Sequence, residues 1–274
     1  MITAGELYRA RIEIREVARE LYNLDLNGYH DLFLERRLNH LAMRYGIRKG
    51  SLLLDFLLNK PDMADEIRKE LNIGYTRLYR DPAFFLKIVQ LIRKKIEKQG
   101  LAHIWHAGCS RGHEVYSLII RLEEEGLLKD CRIYATDVNP DALTQAKKGI
   151  IPLVDIQQGI RDYLYAGGQS HLGQYFQISH GSALLKNGLL NKIKFARHDL
   201  SKDAIFQKFD FILCLNVFIY YQPFFQKKLL ARISEGLHPG GFLGMTPGES
   251  IDEMARELQL KSFDKHLNIY HLEK

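Results

Sequence analysis

Residues 103–117 read His-Ile-Trp-His-Ala-Gly-Cys-Ser-Arg-Gly-His-Glu-Val-Tyr-Ser, a stretch whose residue types suit the holding of a small polar ligand. Ile104, Trp105 and Ala107 predict a buried strand, Gly108 and Gly112 bracket a turn, and residues 115–122 open a helical apolar period. Strand, glycine turn and helix bring a backbone close to a nucleotide-like ligand outside the carboxyl end of a strand. On this reading Gly108 and Gly112 are there because a Cβ would hold the ligand off. Downstream, Cys131-Arg-Ile-Tyr-Ala-Thr is a second apolar run that ends in Asp137, placed to accept hydrogen bonds from two ribose hydroxyls. The spacing Gly108-x-x-x-Gly112 is not the GxGxxG of a dinucleotide fold, and no GKS/T follows, so a P-loop is excluded. The plain alternative is a tight strand–helix turn with Asp137 as a helix cap. His103, His106 and His113 invite a metal reading, but no acid–His motif accompanies them; structural histidines fit better and no metal is expected.

The 274 residues suit one large domain, or one with a smaller companion, and a hydrophobic fraction of 46% is enough for a sizeable core. No run is long and apolar enough to span a bilayer, and the N-terminus lacks a signal-peptide core. Cys109, Cys131 and Cys214 lie far apart, each in or beside an expected buried strand, as small apolar residues of a reduced, cytoplasmic protein. The formal charge of +6 gathers partly at Arg36-Arg37, Arg44, Arg48-Lys49 and Arg93-Lys94-Lys95. None of these interleaves basic and aromatic residues as a nucleic-acid motif does, and no nucleic-acid partner is expected. Each is read as a solvated helix face, with an acidic protein surface as the functional alternative.

The elements that must position these groups follow from periodicity. Residues 1–98 read as helical: a first helix over 7–21; a second, capped by Asn27 or Asp31, with the stripe Leu34, Leu38, Leu41, Ala42 and Tyr45; a short apolar helix from Ser51; a helix over 63–72 capped by Asp62; and one from Asp81-Pro82 to about Gln99. From residue 99 to 274 strands alternate with helices, the signature of a parallel sheet. Strands are expected at 104–107, 132–136, 193–196, 209–214 and 241–245, with two short antiparallel strands over 262–272. Residues 150–192 break the rhythm and predict an inserted antiparallel β element, centred on about 160–192, with a short strand at 175–178.

Several short blocks, in order along nearly the whole chain, resemble the CheR-type chemotaxis receptor glutamate methyltransferases. The family's Asn-x-Thr-x-Phe-Phe-Arg-Asp/Glu stands here as Gly74-Tyr-Thr76-Arg-Leu-Tyr79-Arg80-Asp81, and its Ser-Thr-Gly-Glu-Glu-Pro-Tyr-Ser as Ser110-Arg-Gly112-His-Glu114-Val-Tyr116-Ser117. Ala135-Thr-Asp137-Val-Asn matches its acidic strand end, and Leu215-Asn216-Val217-Phe-Ile219-Tyr220-Tyr221 its Arg-Asn-Val-x-Ile-Tyr-Phe. Gly74, His113, Leu215 and the Thr246-Pro-Gly248-Glu249 block depart from the pattern and mark a divergent member.

The resemblance implies an α/β fold: a class I S-adenosylmethionine (SAM)-dependent, Rossmann-like sheet with a helical N-terminal domain and a small inserted β-subdomain. It implies methyl transfer from SAM to glutamate side chains, with S-adenosylhomocysteine as product. A glutamate is ionised at neutral pH, its ordinary pKa being about 4.3, and needs no general base. The sulfonium and carboxylate charges cancel in the transition state, so alignment and exclusion of water help more than cationic stabilisation. Cofactor-facing positions are then Thr76, Arg80, Gly108, Gly112, Glu114, Asp137, Asp199, Leu200 and Asn216, with Asp137 on the ribose and Asp199 on the adenine amino group. Arg80 would bind the cofactor's carboxylate or orient the incoming glutamate, and Tyr220 would hydrogen-bond that glutamate. Thr76 and Arg80 would reach the cofactor from the helical part. Arg36, Arg37 and Arg44 would face the acidic methylation region of a receptor-like protein, beside a membrane but not inserted in it.

Each position has a plainer alternative. Arg80 could simply pair with Asp81, Tyr220 could be core, Glu114 a first-turn helix acid, and Asp199 a cap for the segment from Ser201. Two other functions remain open at this point: a methyltransferase of the same fold on another acceptor, and a non-catalytic scaffold that keeps the fold.

Overall fold

The computed structural model describes residues 4–22, 24–59, 66–67, 70–71, 76–249 and 251–273. The expected helix over 63–72 and the opening Gly74 of the Thr76 block lie largely outside these. The chain divides into two compact units, Met1–Ile73 with Ile219–Lys227, and Gly74–Phe218 with Lys228–Lys274. This division falls before the proline-started helix; the expected boundary at 98/99 falls after it.

The first unit holds α1 (Ala4–Tyr22), α2 (Asp31–Arg44) and α3 (Gly50–Asn59). The predicted stripe of α2 is what it buries: Leu34, Leu38, Leu41 and Ala42 pack with Ile14, Ala18, Leu53 and Leu57. Neither Asn27 nor Asp31 caps α2. His30 occupies the cap without a side-chain bond, and the Asp31 carboxylate instead pairs with Arg11 and Arg15, each at 2.9 Å. Residues 219–227 add an isolated bridge between Tyr221 and Tyr29, with ring contacts at 4.7 Å between those tyrosines and 4.9 Å between Tyr220 and Phe33.

The second unit starts its regular structure with α4 (Pro82–Gln99), closed by Gly100 in the left-handed conformation. Pro82 supplies the first turn as expected, although the Asp81 side chain makes no capping bond. The sheet then takes β1 (Ala102–Ala107), β2 (Cys131–Asp137), β6 (Ile193–Arg197), β7 (Phe209–Cys214), β8 (Leu237–Met245), β9 (Leu260–Asp264) and β10 (Ile269–Leu272) in the order β6-β2-β1-β7-β8-β10-β9. The five strands from β6 to β8 pair in parallel and β10 antiparallel to β8. Residues of β7 are buried throughout, as befits a central parallel strand, and the one charged residue among them, Asp210, is paired with Lys95 at 2.5 Å. Between the strands run α5 (His113–Glu124) and α6 (Pro140–Lys148), the latter capped by the Asn139 side chain on the N–H groups of Asp141 and Ala142. Helix α8 (Pro223–Glu235) precedes β8, and α9 (Asp252–Glu257) precedes β9.

The insert is a three-stranded antiparallel sheet, β3 (Ile150–Pro152), β4 (Phe176–Ser179) and β5 (Ser182–Leu185), in the order β3-β5-β4. It also contains α7 (Leu153–Tyr165), which the sequence reading did not anticipate. Val154, Ile156 and Ile160 lower local helix propensity, and Gly159 lowers it further. Tertiary packing reverses that preference: Ile156, Gly159 and Tyr163 are buried, and a Cβ on Gly159 would stand 3.0 Å from the Cβ of Leu78. No described helix is long and apolar enough to cross a membrane.

Candidate functional site

The chain runs outward from β1 to β2 and β6, then returns to the other side of β1 as β7 and β8. The crevice outside the carboxyl ends of β1 and β7 is therefore the switch point at which open parallel sheets take their ligands. The carboxyl ends of five adjacent strands deliver Asp199 and Leu200 after β6, Asp137 at β2, Gly108–Gly112 after β1, Asn216 after β7 and Thr246 after β8.

The glycine turn is built differently from the expectation. Gly108 and Gly112 have φ of +82° and +89°, so both positions favour glycine for the backbone alone. A Cβ on Gly108 would stand 2.5 Å from Cγ2 of Val217, and one on Gly112 would stand 2.7 Å from the Tyr116 ring. The space a Cβ would take thus belongs to the protein's own side chains. The turn's amides are also spent internally: Gly108 and Cys109 donate to the Thr136 carbonyl at 2.8 Å each, and Gly112 to Cys109 at 2.9 Å. Ser110, at φ +49°, donates its N–H to Oδ2 of Asp137 at 2.7 Å, while Oδ1 accepts from the Asn139 N–H at 2.9 Å. Asp137 is buried and braces the turn to the exit of β2.

Glu114, in the first turn of α5, is buried too. Asn216, at φ +58°, donates its side-chain amide to Oε1 of Glu114 at 3.1 Å and its backbone N–H to the Thr246 hydroxyl at 2.6 Å. Burial pushes the Glu114 pKa up to about 8; Arg80 and the Asn216 bond oppose the shift, and Asp81 and Glu249 add to it. Arg80 faces Asp81 as well, so its charge serves two acids rather than only its neighbour. Thr76 and Arg80 belong to the second unit, with the sheet. Arg77 holds the Arg80 carbonyl at 3.1 Å and lies 3.6 Å from the buried Asp162 of α7. Tyr79, fully buried, donates its N–H to Ser117 Oγ at 2.9 Å.

The raised Glu114 pKa has a definite consequence for stability. The folded protein keeps this proton up to about pH 8, whereas an ordinary glutamate gives it up near 4.5. The folded state therefore binds the extra proton in that window, and the group's contribution to stability falls as pH rises from about 4.5 to about 8 and is level above. Urea unfolding from pH 5 to 9 is expected to show this slope in the wild type and to lose it in Glu114→Gln. Parallel profiles for the two proteins contradict the assignment.

Several other expected positions are engaged by groups of the protein itself. Oδ1 of Asp199 accepts from the N–H and hydroxyl of Ser201 at 2.9 and 2.6 Å, which is a local cap. His113 is buried and bonded through Nε2 to Asp155 of α7 at 2.8 Å, so this departure from the family pattern has a partner of its own. Leu215 is buried in the core. In the first unit, Tyr220 packs on Phe33. Arg37 pairs with the buried Glu70 at 2.7 Å, and Arg44 with Glu66 at 2.9 Å and Glu70 at 3.6 Å; Arg36 is exposed. Among the described residues no three His, Cys, Asp or Glu side chains group as metal ligands. Sequence reasoning missed Asn268, Arg77 and Asp162, whose partners lie far along the chain or on the unanticipated α7.

Residues 74–266 match the family described as CheR methyltransferase, SAM binding domain. The chain belongs to the CheR methyltransferase family. Among its relatives, a methyltransferase named Cher3 from Pseudomonas putida is 33% identical over 244 residues, covering 88% of this chain and 89% of that one. Chemotaxis protein methyltransferase 1 of Pseudomonas aeruginosa is 26% identical over 267 residues, covering 93% of each. Among solved structures, magnesium protoporphyrin IX methyltransferase of Synechocystis superposes with a TM-score of 0.39 at 15% identity, over 81% of this chain and 96% of that one. The CheR match and the strand order make the second unit a class I, Rossmann-like SAM methyltransferase fold.

The site's own chemistry fits SAM. Thr76 Oγ1, Ser110 Oγ and Asn216 Oδ1 are buried without a hydrogen-bond partner among the described residues, as groups completed by a ligand are. Asp137 at the end of β2 places a buried carboxylate, which accepts from the Ser110 and Asn139 N–H groups, at the carboxyl edge of the sheet.

Proposed function

We propose that this CheR family member transfers a methyl group from SAM to glutamate side chains of a receptor-like protein in chemotaxis signalling, in the cytoplasm. The observation that carries the reading is the polar set at the carboxyl ends of the parallel strands, Asp137, Glu114 and Asn216, together with Arg80. In this reading Thr76, Glu114, Asp137, Asp199, Leu200 and Asn216 face the cofactor, and Gly108 and Gly112 shape the turn that carries Ser110. Bound SAM supplies an electrophilic methyl on a sulfonium. The acceptor carboxylate arrives ionised, so the chain has to align it and exclude water rather than remove a proton. Arg80 suits that role because Asp81 beside it already shares its charge: it can orient a carboxylate without holding the ground state too tightly. Tyr220 is proposed as the hydroxyl that hydrogen-bonds the incoming glutamate.

The relatives named as chemotaxis methyltransferases support a receptor substrate. On α2, two of the three arginines proposed to meet an acidic partner are engaged with Glu66 and Glu70, which leaves Arg36 as the residue to test. Charge reversal at Arg37 would set an acid against the buried Glu70 and disturb the unit itself. The experiment is transfer of labelled methyl from SAM to receptor fragments, followed by base. Release of labelled methanol is expected for a carboxyl methyl ester, and base-stable label would mean another acceptor. At subsaturating receptor, Arg36→Glu is expected to slow the reaction about fivefold, equivalent to ~1 kcal/mol, with S-adenosylhomocysteine affinity unchanged. An unchanged rate removes Arg36 from the docking face.

A further inference from the structure

Asn268 lies in the turn between β9 and β10, two positions beyond the matched family region. It is buried, with φ +51°, and its carbonyl accepts the Met245 N–H at 3.0 Å. Its side-chain amide donates both hydrogens, to the Thr246 carbonyl at 2.7 Å and the Glu249 carbonyl at 2.8 Å. Those two residues close a turn on themselves: the Glu249 N–H reaches the Thr246 carbonyl at 3.0 Å, and the Thr246 N–H reaches Oε2 of Glu249 at 3.1 Å. The Thr246 hydroxyl then accepts the Asn216 N–H at 2.6 Å. Asn216 is the residue held in the left-handed region with its amide on Glu114. A left-handed asparagine costs backbone energy and persists where its surroundings fix it.

We propose that Asn268 is a positioning residue of the methyl-donor site: by clamping the 246–249 turn it presents the Thr246 hydroxyl to Asn216 and so fixes the Asn216 amide on Glu114. In its cofactor part the inference rests on the proposed SAM reading. The Asn268 amide bonds to the Thr246 and Glu249 carbonyls and not to Glu114 or Asn216, so it acts through Thr246.

The test has one readout that needs no ligand and one that does. Glu114 is faced by Arg80 and Asp81 from residues 76–81, by Asn216 after β7 and by Glu249 after β8. The Asn216 bond favours the carboxylate, so its loss raises the pH at which Glu114 titrates. Carboxyl carbon NMR of the ligand-free protein is expected to show this upward move in Asn268→Gly, which keeps the left-handed backbone. Thr246→Val should reproduce it without touching Asn268 or the Thr246 N–H to Glu249, which separates the Asn216 route from displacement of Glu249. By calorimetry, Asn268→Gly is expected to weaken S-adenosylhomocysteine binding about tenfold. The Asn268→Gly/Asn216→Ala double variant should bind no more weakly than Asn216→Ala alone, because serial parts of one route do not add. A Glu114 titration unchanged in both Asn268→Gly and Thr246→Val overturns the clamp, as does strict additivity in the double variant. If the wild type binds no S-adenosylhomocysteine while the titration moves as described, the clamp stands and the SAM reading fails.

Discussion

Asp137→Ala is expected to abolish saturable S-adenosylhomocysteine binding, weakening it at least ~100-fold, the worth of two hydrogen bonds to a charged group at ~1.5–3 kcal/mol each. Two losses coincide at this residue. The acceptors proposed for the ribose hydroxyls disappear, and the N–H groups of Ser110 and Asn139 lose the carboxylate that braces the β1 turn to β2. Asp137→Asn keeps the shape and one acceptor oxygen, and should fall between alanine and wild type. Calorimetric titration measures all three, with thermal unfolding to show that each variant is folded. Undiminished binding in Asp137→Ala removes Asp137 from the cofactor site. A folded wild type that takes up no S-adenosylhomocysteine would instead favour a signalling scaffold that keeps the fold without the reaction.

Arg121→Met is expected to cost the second unit ~3–5 kcal/mol, the penalty for stranding a buried charge by removing its partner. Arg121 is 1% exposed. Its Nε donates to the Ala166 carbonyl at 3.0 Å, and its guanidinium binds Glu124 and, at 2.6 Å, Glu125. Glu124 also accepts the hydroxyls of Tyr163 and of Tyr175, the latter at 2.8 Å. This cluster of Arg121 with Glu124 and Glu125 thus fastens the end of α5 to the end of α7 and to residue 175 of the insert. Neutralising the stranded acid in Arg121→Met/Glu124→Gln should recover about half of the loss, since glutamine keeps an acceptor for the tyrosines. Urea unfolding checks both variants; a loss under ~1 kcal/mol for Arg121→Met contradicts the account.

The sheet was legible in the sequence because its strands are short, mainly apolar runs whose ends carry Gly108, Asp137 and Asn216. Helix α7 was not, because Gly159 and three β-branched residues argue locally against a helix that packing against Leu78 imposes. The glycines of the turn were found for an incomplete reason: that Val217 and Tyr116 fill the space beside them is a fact of tertiary packing. The same holds for Arg37 and Arg44, whose partners Glu66 and Glu70 lie more than a helix away in sequence. Motif blocks located the Glu114–Asn216 pair, but the support beneath it comes from Asn268 in a turn without any local signature.

The make-up of the helical unit sets an order on how the protein can be made. That unit is completed by Ile219–Lys227, which follow β7 in the chain, so the polypeptide passes between units at three places rather than one. A ribosome releases chain from the amino end, and a domain encoded by one stretch can finish folding as it emerges. Here Tyr29 and Phe33 wait for Tyr221 and Tyr220 until four strands of the parallel sheet have already been synthesised. Cutting the gene at residue 73 would leave aromatic rings uncovered in both products, so neither half is a natural expression fragment, and the smallest unit of assembly is the chain through at least residue 227.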